Sequence, residues 1–176
     1  MSEVLLKLAS RRSDDLQKIR KVADYQFGDG VGRNLFPDDV SVVFSKRTGR
    51  IRYIYLDGEL LATLKPRDGL FSLGIGGAER LIKMEPKRMW VRVQEEAEAS
   101  VGKGGDVFAR HVVDFDEEIR PREEVVVLNE KNILVAVGKA VLSGDEMRDF
   151  SRGVAVRVRR GILEKVKKGN ETIMGQ

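Results

Sequence analysis

The chain has 176 residues, of which 41% are hydrophobic and 34% charged, which is enough apolar material for one large or two small globular domains. It contains no cysteine and one histidine, so disulfides and thiolate chemistry are excluded and a zinc site is not expected. No apolar run is long enough to span a bilayer, and the N-terminus lacks a signal-peptide core. A soluble cytoplasmic protein without a membrane partner is therefore expected.

The net charge of +4 is unevenly distributed along the chain. Residues 1–88 carry a net charge of +5, and residues 89–176 carry −1. Within the second half, segment 114–124 holds six acids and two arginines, whereas segment 152–168 holds seven basic residues and one acid. Separated blocks of opposite charge create local fields. The basic block could face a polyanion and the acidic block a basic protein, with a solvated surface as the alternative for both.

An amphipathic helix is predicted from Ser13 to about Gln26. Ser13 can cap the first turn, where the helix dipole also favours the acids Asp14 and Asp15. One face of this helix is apolar, because hydrophobic residues recur near helical spacing at Leu16, Ile19, Ala23 and Phe27.

The glycine-rich segment 28–32, Gly-Asp-Gly-Val-Gly, raises the question of a nucleotide-binding loop. A dinucleotide loop follows a strand and opens a helix. This segment follows a predicted helix and leads toward Pro37 and a strand. Glycine can end a helix by taking the left-handed conformation, so the segment is predicted to be a helix exit and a loop.

Beyond this loop the apolar period changes to two, which predicts strands near residues 40–44, 51–55 and 60–64. Asp57-Gly58 between the last two is a strong hairpin signal, and Gly49 and Asp68-Gly69 mark two further turns. A short helix is predicted over residues 76–84. Residues 1–88 are therefore expected to form an α+β domain with an antiparallel meander.

A domain boundary is predicted near residue 88, after Pro86. Beyond it, short helices are predicted over residues 95–101 and 144–150, and strands over residues 89–93, 107–113, 125–128, 133–142 and 154–160. Many short strands with two small helices indicate a β-barrel or sandwich. This second domain, residues 89–176, includes a basic C-terminal tail.

The second domain resembles a known RNA-binding module. Residues 104–159 contain a Gly-Gly-Asp-Val-Phe-Ala turn, a Glu-Val-Val-Val strand, an Ala-Val-Gly-Lys-Ala strand and a Gly-Val-Ala-Val-Arg-Val ending. In this order and spacing they resemble a PUA domain, with the likeness covering about residues 89–162. The resemblance implies a small pseudo-barrel of strands with two short helices, and RNA as the partner.

The first half adds to this resemblance. The stretches ADYQFGDGVGRNLF and TGRIRYIYLDGELLATLKPRDGLFSLGIGGAERL are similar to the segment that precedes the PUA domain in archaeal tRNA-guanine transglycosylases, which make archaeosine in tRNA. Those enzymes also carry a large catalytic barrel with paired aspartates and zinc ligands, for which this chain has no room. The resemblance therefore implies an accessory RNA-binding part without the catalytic part.

RNA contacts in PUA domains come from the glycine-containing loop after the first short helix, the strand that follows and the last strand. Carried over by position, they imply an RNA site formed by Lys103, Gly104, Gly105, Val107, Phe108, Ala109, Arg110, Arg157 and Arg159, to which the strand pattern adds Arg160 at the end of the last strand.

Elementary chemistry fits this site, although each residue also has a structural explanation. The glycine loop would offer backbone N–H groups to a phosphate. Alternation along the last strand would place Arg157 and Arg159 on one outer face, and guanidinium groups bind phosphates and stack on bases. Against this, burial habits favour a core position for Phe108, the two glycines could serve only a tight turn, and the arginines could be ordinary solvated residues.

No catalytic constellation is evident, because the single histidine, His111, has no partner motif. The sequence thus predicts a non-catalytic chain without metal or cofactor that binds RNA, with tRNA preferred, and serves a catalytic tRNA-modification subunit. One alternative is an adaptor that docks a basic partner through the acidic segment 114–124. Another is an enzyme with an unrecognised carboxylate site in that segment, formed by Asp114, Asp116, Glu117 and Glu118.

Overall fold

The computed structural model describes residues 3–85 and 87–164. The chain divides into two compact units, Met1–Ser72 and Leu73–Gln176. Pro86 and the basic C-terminal tail beyond residue 164, both singled out in the sequence, lie outside the described residues. Among the residues described, no helix has the length and apolar character needed to cross a membrane.

The first unit packs helices against an antiparallel meander. Its helices are α1 (Glu3–Phe27) and α2 (Val31–Leu35), and its strands are β1 (Ser41–Phe44), β2 (Ile51–Leu56), β3 (Glu59–Leu64) and β4 (Phe71–Leu73), whose last residue begins the second unit. The strands lie in the order β1-β2-β3-β4. The predicted meander is thus confirmed, including its tight turn at Asp57-Gly58, where both residues have positive φ.

The core of the first unit follows the predicted apolar stripe of α1. Ile19, Ala23 and Phe27 are buried, as are Ile54 and Ala62 of the sheet. The rings of Phe36 and Phe71 meet edge to face with their centroids 5.1 Å apart. The predicted helix start at Ser13 is wrong, because α1 already begins at Glu3 and Ser13 lies inside it.

The glycine-rich segment 28–32 joins two helices instead of leading directly to a strand. The backbone N–H of Gly32 donates to Asp24 Oδ1 at 2.7 Å, which ties α2 to α1. A Cβ on Gly32 would lie only 2.2 Å from the carbonyl oxygen of Arg20. Gly30 has a φ of 81° but open space around it. The segment therefore ends α1, as predicted, and also allows α2 to lie directly on the backbone of α1.

This contact predicts that Gly32→Ala destabilises the protein more than Gly30→Ala. The first substitution forces two backbones apart, and overpacking of this kind costs about 1–3 kcal/mol or more. The second adds only the cost of a left-handed non-glycine residue, about 1–2 kcal/mol. Urea unfolding of both variants measures the difference, and equal losses would contradict the close approach of α2 to α1.

The second unit is built on a six-stranded sheet. Its helices are α3 (Ile75–Leu81), α4 (Glu95–Gly102) and α5 (Gly144–Asp149). Its strands are β5 (Trp90–Val93), β6 (Val107–Phe108), β7 (Val112–Phe115), β8 (Glu124–Leu128), β9 (Leu134–Ala140) and β10 (Val154–Gly161). They lie in the order β6-β10-β9-β8-β5-β7, with β5 and β8 parallel. Every residue of β8 is buried, and this nearly closed barrel of strands with small helices confirms the predicted α+β fold class.

The continuous strand predicted over residues 107–113 is wrong. A turn of 3-10 helix, Ala109–His111, interrupts it. The physical reason is the sheet order, because β6 pairs with β10 at one edge whereas β7 pairs with β5 at the other. The chain must change direction between these two edges, and the alternating apolar pattern did not reveal this.

Candidate nucleic-acid interface

The candidate surface starts from the pairing of β6 with β10. Val107 lies opposite Val156, and both side chains are completely buried. Because side chains alternate along a strand, Phe108 on β6 and Arg157 on β10 project from the outer face. Phe108 is 45% exposed, and the Arg157 side chain is 69% exposed. Two of the predicted residues therefore share one accessible face.

An exposed ring lies beside a guanidinium group on this face. The guanidinium carbon of Arg110 lies 5.8 Å from the centroid of the Phe108 ring. Arg110 Nε donates to His111 Nε2 at 3.1 Å, and this hydrogen bond restrains the arginine side chain. Phe108 is not in the core, against the habit of phenylalanine, because side chains alternate along β6 and Val107 takes the buried position. A planar ring and a planar cation are both groups on which nucleic-acid bases stack.

The glycine loop after α4 does not present free backbone donors. The N–H groups of Lys103 and Gly105 donate to the Ser100 carbonyl at 3.2 and 3.0 Å, and that of Gly104 donates to the Val101 carbonyl at 2.9 Å. These carbonyls belong to the last turn of α4, so the N–H groups complete the end of the helix. The expectation that these N–H groups are available to a phosphate is therefore wrong.

At both glycines of this loop, neighbouring groups leave little room for a side chain. Gly104 has a φ of 98°, and a Cβ there would lie 2.9 Å from the Glu164 carboxylate. A Cβ on Gly105 would lie 2.7 Å from Ser100 Oγ. Gly102 is the last residue of α4 and so precedes this loop. The exposed side chain of Lys103 is what the loop contributes to the positive charge of the surface.

Asp106, which was not among the predicted residues, connects this loop to the last strand. Its Oδ1 accepts a hydrogen bond from the backbone N–H of Val158 at 2.9 Å. Its Oδ2 lies 3.8 Å from Nη1 of Arg157. An ion pair this long and this exposed contributes little, so the Arg157 guanidinium stays accessible. The sequence shows an aspartate directly before a predicted strand, but nothing near it in the sequence indicates that it bonds to Val158.

Arg159, by contrast, is part of a buried network. Its Nη1 donates to Glu124 Oε2 at 3.0 Å, while its Nη2 donates to Glu124 Oε1 and to the carbonyl oxygen of Leu73, the latter at 2.7 Å. The backbone N–H of Leu73 donates to the same carboxylate at 2.8 Å. The Glu124 side chain is 1% exposed and that of Arg159 is 36% exposed. The two arginines predicted to share an outer face therefore have different environments.

The remaining predicted residues divide between surface and interior. Arg160 is exposed and lies opposite Val137 of β9. Val107 and Ala109 are buried, and the backbone N–H of Ala109 donates to the Gly153 carbonyl at 2.9 Å. Their side chains are thus not available to a ligand. Apart from Arg159, which pairs with Glu124, the exposed side chains of the predicted set are Phe108 and four cations, Lys103, Arg110, Arg157 and Arg160.

The acidic segment 114–124 is largely neutralised within the second unit. Five of its six acids interact with other groups of this unit: Asp114 pairs with Arg92, Glu117 pairs with Arg148, Glu124 pairs with Arg159, and Asp116 and Glu123 accept backbone hydrogen bonds. Within residues 3–85 and 87–164, no group of three or more acids and histidines is arranged to hold a metal ion. The segment is thus mainly a structural element.

Comparison with known families defines the class of each part. Residues 89–162 match the PUA domain family, and residues 17–87 match the family described as patch-forming domain C2 of tRNA-guanine transglycosylase. The chain therefore carries a C2 domain of the tRNA-guanine transglycosylase type followed by a PUA domain. The resemblance seen in the sequence is confirmed.

Curated relatives point the same way. The chain is 47% identical to tRNA-guanine(15) transglycosylase of Methanothermobacter thermautotrophicus over 149 residues, which are 84% of this chain and 23% of that enzyme. It is 46% identical to the enzyme of the same name from Thermococcus kodakarensis over 145 residues, 82% of this chain and 25% of that enzyme. The chain thus spans about a quarter of the length of the curated relatives it matches.

Solved structures share the fold over most of the chain. A hypothetical protein of Pyrococcus horikoshii aligns with a TM-score of 0.66 and 27% identity, covering 84% of this chain and 90% of that protein. A PUA domain protein of Thermoplasma acidophilum aligns with a TM-score of 0.60 and 22% identity, covering 85% and 89%. The second likeness shows the fold alone.

The network around Glu124 predicts that Arg159→Ala is strongly destabilising, whereas Arg157→Ala is not. Removing Arg159 takes the guanidinium away from a buried carboxylate, and the loss should be smaller than the about 3–5 kcal/mol of a fully buried pair because the Arg159 side chain is partly exposed. Removing the exposed Arg157 should change the free energy of unfolding by less than about 0.5 kcal/mol. Chemical denaturation of both variants checks this, and similar stabilities would contradict a structural role for Arg159.

Proposed function

We propose that this chain binds structured RNA through the outer face of β6 and β10 in its PUA domain. The observation that carries the proposal is the exposed ring of Phe108 beside the Arg110 guanidinium, on the face that also presents Arg157. Such a surface can stack on a base while its cations meet phosphates. Lys103 and Arg160 add further positive charge to the same unit.

The RNA that best suits this proposal is tRNA. The sequence relatives are tRNA-guanine(15) transglycosylases, and the chain aligns with about a quarter of their length. The C2 domain that it carries is named for tRNA-guanine transglycosylase. We infer that the chain positions tRNA for a modifying enzyme, either as an accessory factor or as a separate subunit, and is not itself catalytic.

A protein adaptor is less well supported. It would need the acidic segment 114–124 to be available to a basic partner. Most of the carboxylates in that segment already pair with arginines or with backbone N–H groups of the same unit. Glu124 is buried in its pair with Arg159, and Asp114 and Glu117 are already paired at the surface, so the segment offers a basic partner fewer unpaired carboxylates than its sequence suggests.

The proposal predicts that Arg110→Ala combined with Arg157→Ala weakens tRNA binding about tenfold or more. Log affinity falls as log salt rises, and each lost phosphate contact should make this fall less steep by about one unit of slope. Both side chains are exposed enough that folding should be retained. Titrations of bulk tRNA, with and without its single-stranded 3′ end, at several salt concentrations would measure the effect, because an exposed base is what Phe108 could stack upon.

The matched control is Arg88→Ala combined with Lys131→Ala. It removes the same charge from exposed positions next to β5 and β8, away from the β6–β10 pair. If both double variants lose affinity equally, binding depends on net charge and not on the proposed surface. Absence of tRNA binding by the wild-type chain at low salt would overturn the proposal.

A further inference from the structure

Two turns of the first unit have the same construction. In segment 45–50, Ser-Lys-Arg-Thr-Gly-Arg, the N–H of Ser45 donates to the Arg50 carbonyl and the N–H of Gly49 donates to the Ser45 carbonyl, both at 2.8 Å. In segment 65–70, Lys-Pro-Arg-Asp-Gly-Leu, Lys65, Leu70 and Gly69 repeat this pattern at 2.9 Å. We call these segments the twin turns.

The side chains of the twin turns also correspond. The fourth residue of each, Thr48 or Asp68, accepts a hydrogen bond from the N–H of the sixth residue, at 3.4 and 3.0 Å. The fifth residue is a glycine with φ of 64° or 70°. The third residue is an exposed arginine, Arg47 or Arg67. The two arginines are therefore presented by equivalent, internally hydrogen-bonded loops.

The strand order brings the twin turns to the same end of the meander. One turn joins β1 to β2 and the other joins β3 to β4, whereas the β2–β3 hairpin lies at the opposite end. Their midlines are two strand spacings apart, about 10 Å. An open cavity of about 690 Å³ adjoins both turns, and its charged lining consists of Arg47, Arg50, Arg52, Lys65 and Arg67. None of the described residues that line it is acidic.

Charge is separated along this sheet. The acids of the β2–β3 hairpin, Asp57 and Glu59, lie at the end away from the twin turns. Asp38, which precedes β1 at that same end, pairs with Arg20 at 2.8 Å, and this arginine holds the pKa of Asp38 below its usual value. At the turn end, the ion pair of Lys65 with Asp68 at 2.9 Å leaves the arginines as the main cations. The field at this end is therefore positive.

We propose that the twin turns form a second phosphate-binding surface, one that takes the sugar–phosphate backbone of an RNA helix. The twin turns that carry the cations are centred about 10 Å apart, which is wider than one phosphate group, so the surface suits more than one phosphate of a chain better than a single small anion. Arginine forks bind phosphate oxygens with two hydrogen bonds. None of the exposed large hydrophobic side chains of the described residues lines this cavity, whereas an anionic membrane surface would favour apolar residues beside the cations.

The identity of this ligand as RNA rests on the proposed function, but the site itself is separate from the PUA surface. The test is binding of a blunt-ended RNA duplex by Arg47→Ala combined with Arg67→Ala. Neither side chain has a hydrogen bond or ion pair with the described residues, so the variant should fold. The expected result is about a tenfold loss of affinity. The fall of log affinity with log salt should also become less steep, by about two units of slope.

The matched control is Lys21→Ala combined with Arg33→Ala, which removes the same charge from exposed positions of the first unit outside the twin turns. If the wild-type chain binds tRNA but the twin-turn variant behaves like this control on the duplex, the second surface is refuted and the proposed function stands. If the wild-type chain binds no RNA, both are refuted. If inorganic triphosphate displaces the duplex at micromolar concentration, the surface binds a small anion and not the RNA backbone, and the proposal is overturned.

Discussion

The carboxylate of Glu124 is almost completely buried, and its hydrogen bonds connect β8 to β10 and to the end of β4. It accepts hydrogen bonds from the Arg159 guanidinium and from the backbone N–H of Leu73, while Arg159 also donates to the Leu73 carbonyl. Both polar groups of the Leu73 backbone are thus satisfied by one ion pair. A buried charge is tolerated only when it is paired and hydrogen-bonded, so this network restricts which side chains can occupy positions 124 and 159.

This network also separates structural from accessible residues along β10. Arg157 and Arg159 are two positions apart, and the pairing of β10 with β9 shifts register between Val158 and Arg160. Arg159 is committed to Glu124, whereas Arg157 meets only the distant carboxylate of Asp106 and stays 69% exposed. The proposed RNA surface therefore lies toward β6, where Phe108 and Arg110 are found. The same strand thus carries an arginine that stabilises the fold near its end and an accessible arginine near its middle.

Periodicity and turn chemistry predicted much of the fold. The meander, its hairpin at Asp57-Gly58 and the short helices α4 and α5 follow from local signals. Two features could not be predicted in this way. The break in the strand after Phe108 depends on pairing with distant strands. The helix α1 extends before Ser13 although Ser13 is a favourable capping residue.

The candidate site was predictable to a similar extent. The resemblance located Phe108, Arg110 and Arg157, and the structure places all three at the surface. It could not show that the loop N–H groups are used by α4 or that Arg159 pairs with Glu124, 35 residues away. Both facts depend on which carbonyl or carboxylate lies nearby in space. In the same way, the twin turns were visible only as glycine-containing breaks between strands, not as two equivalent basic loops.

The central claim is that RNA meets the outer face of β6 and β10. The most direct measurement is the change in backbone amide NMR shifts when tRNA is added to the isotopically labelled chain at moderate salt. The account predicts the largest changes over residues 103–110 and 153–160, and small changes over the buried strand β8 and the acidic segment before it. Changes concentrated in segment 114–124, with none at Phe108 or Arg110, would contradict it.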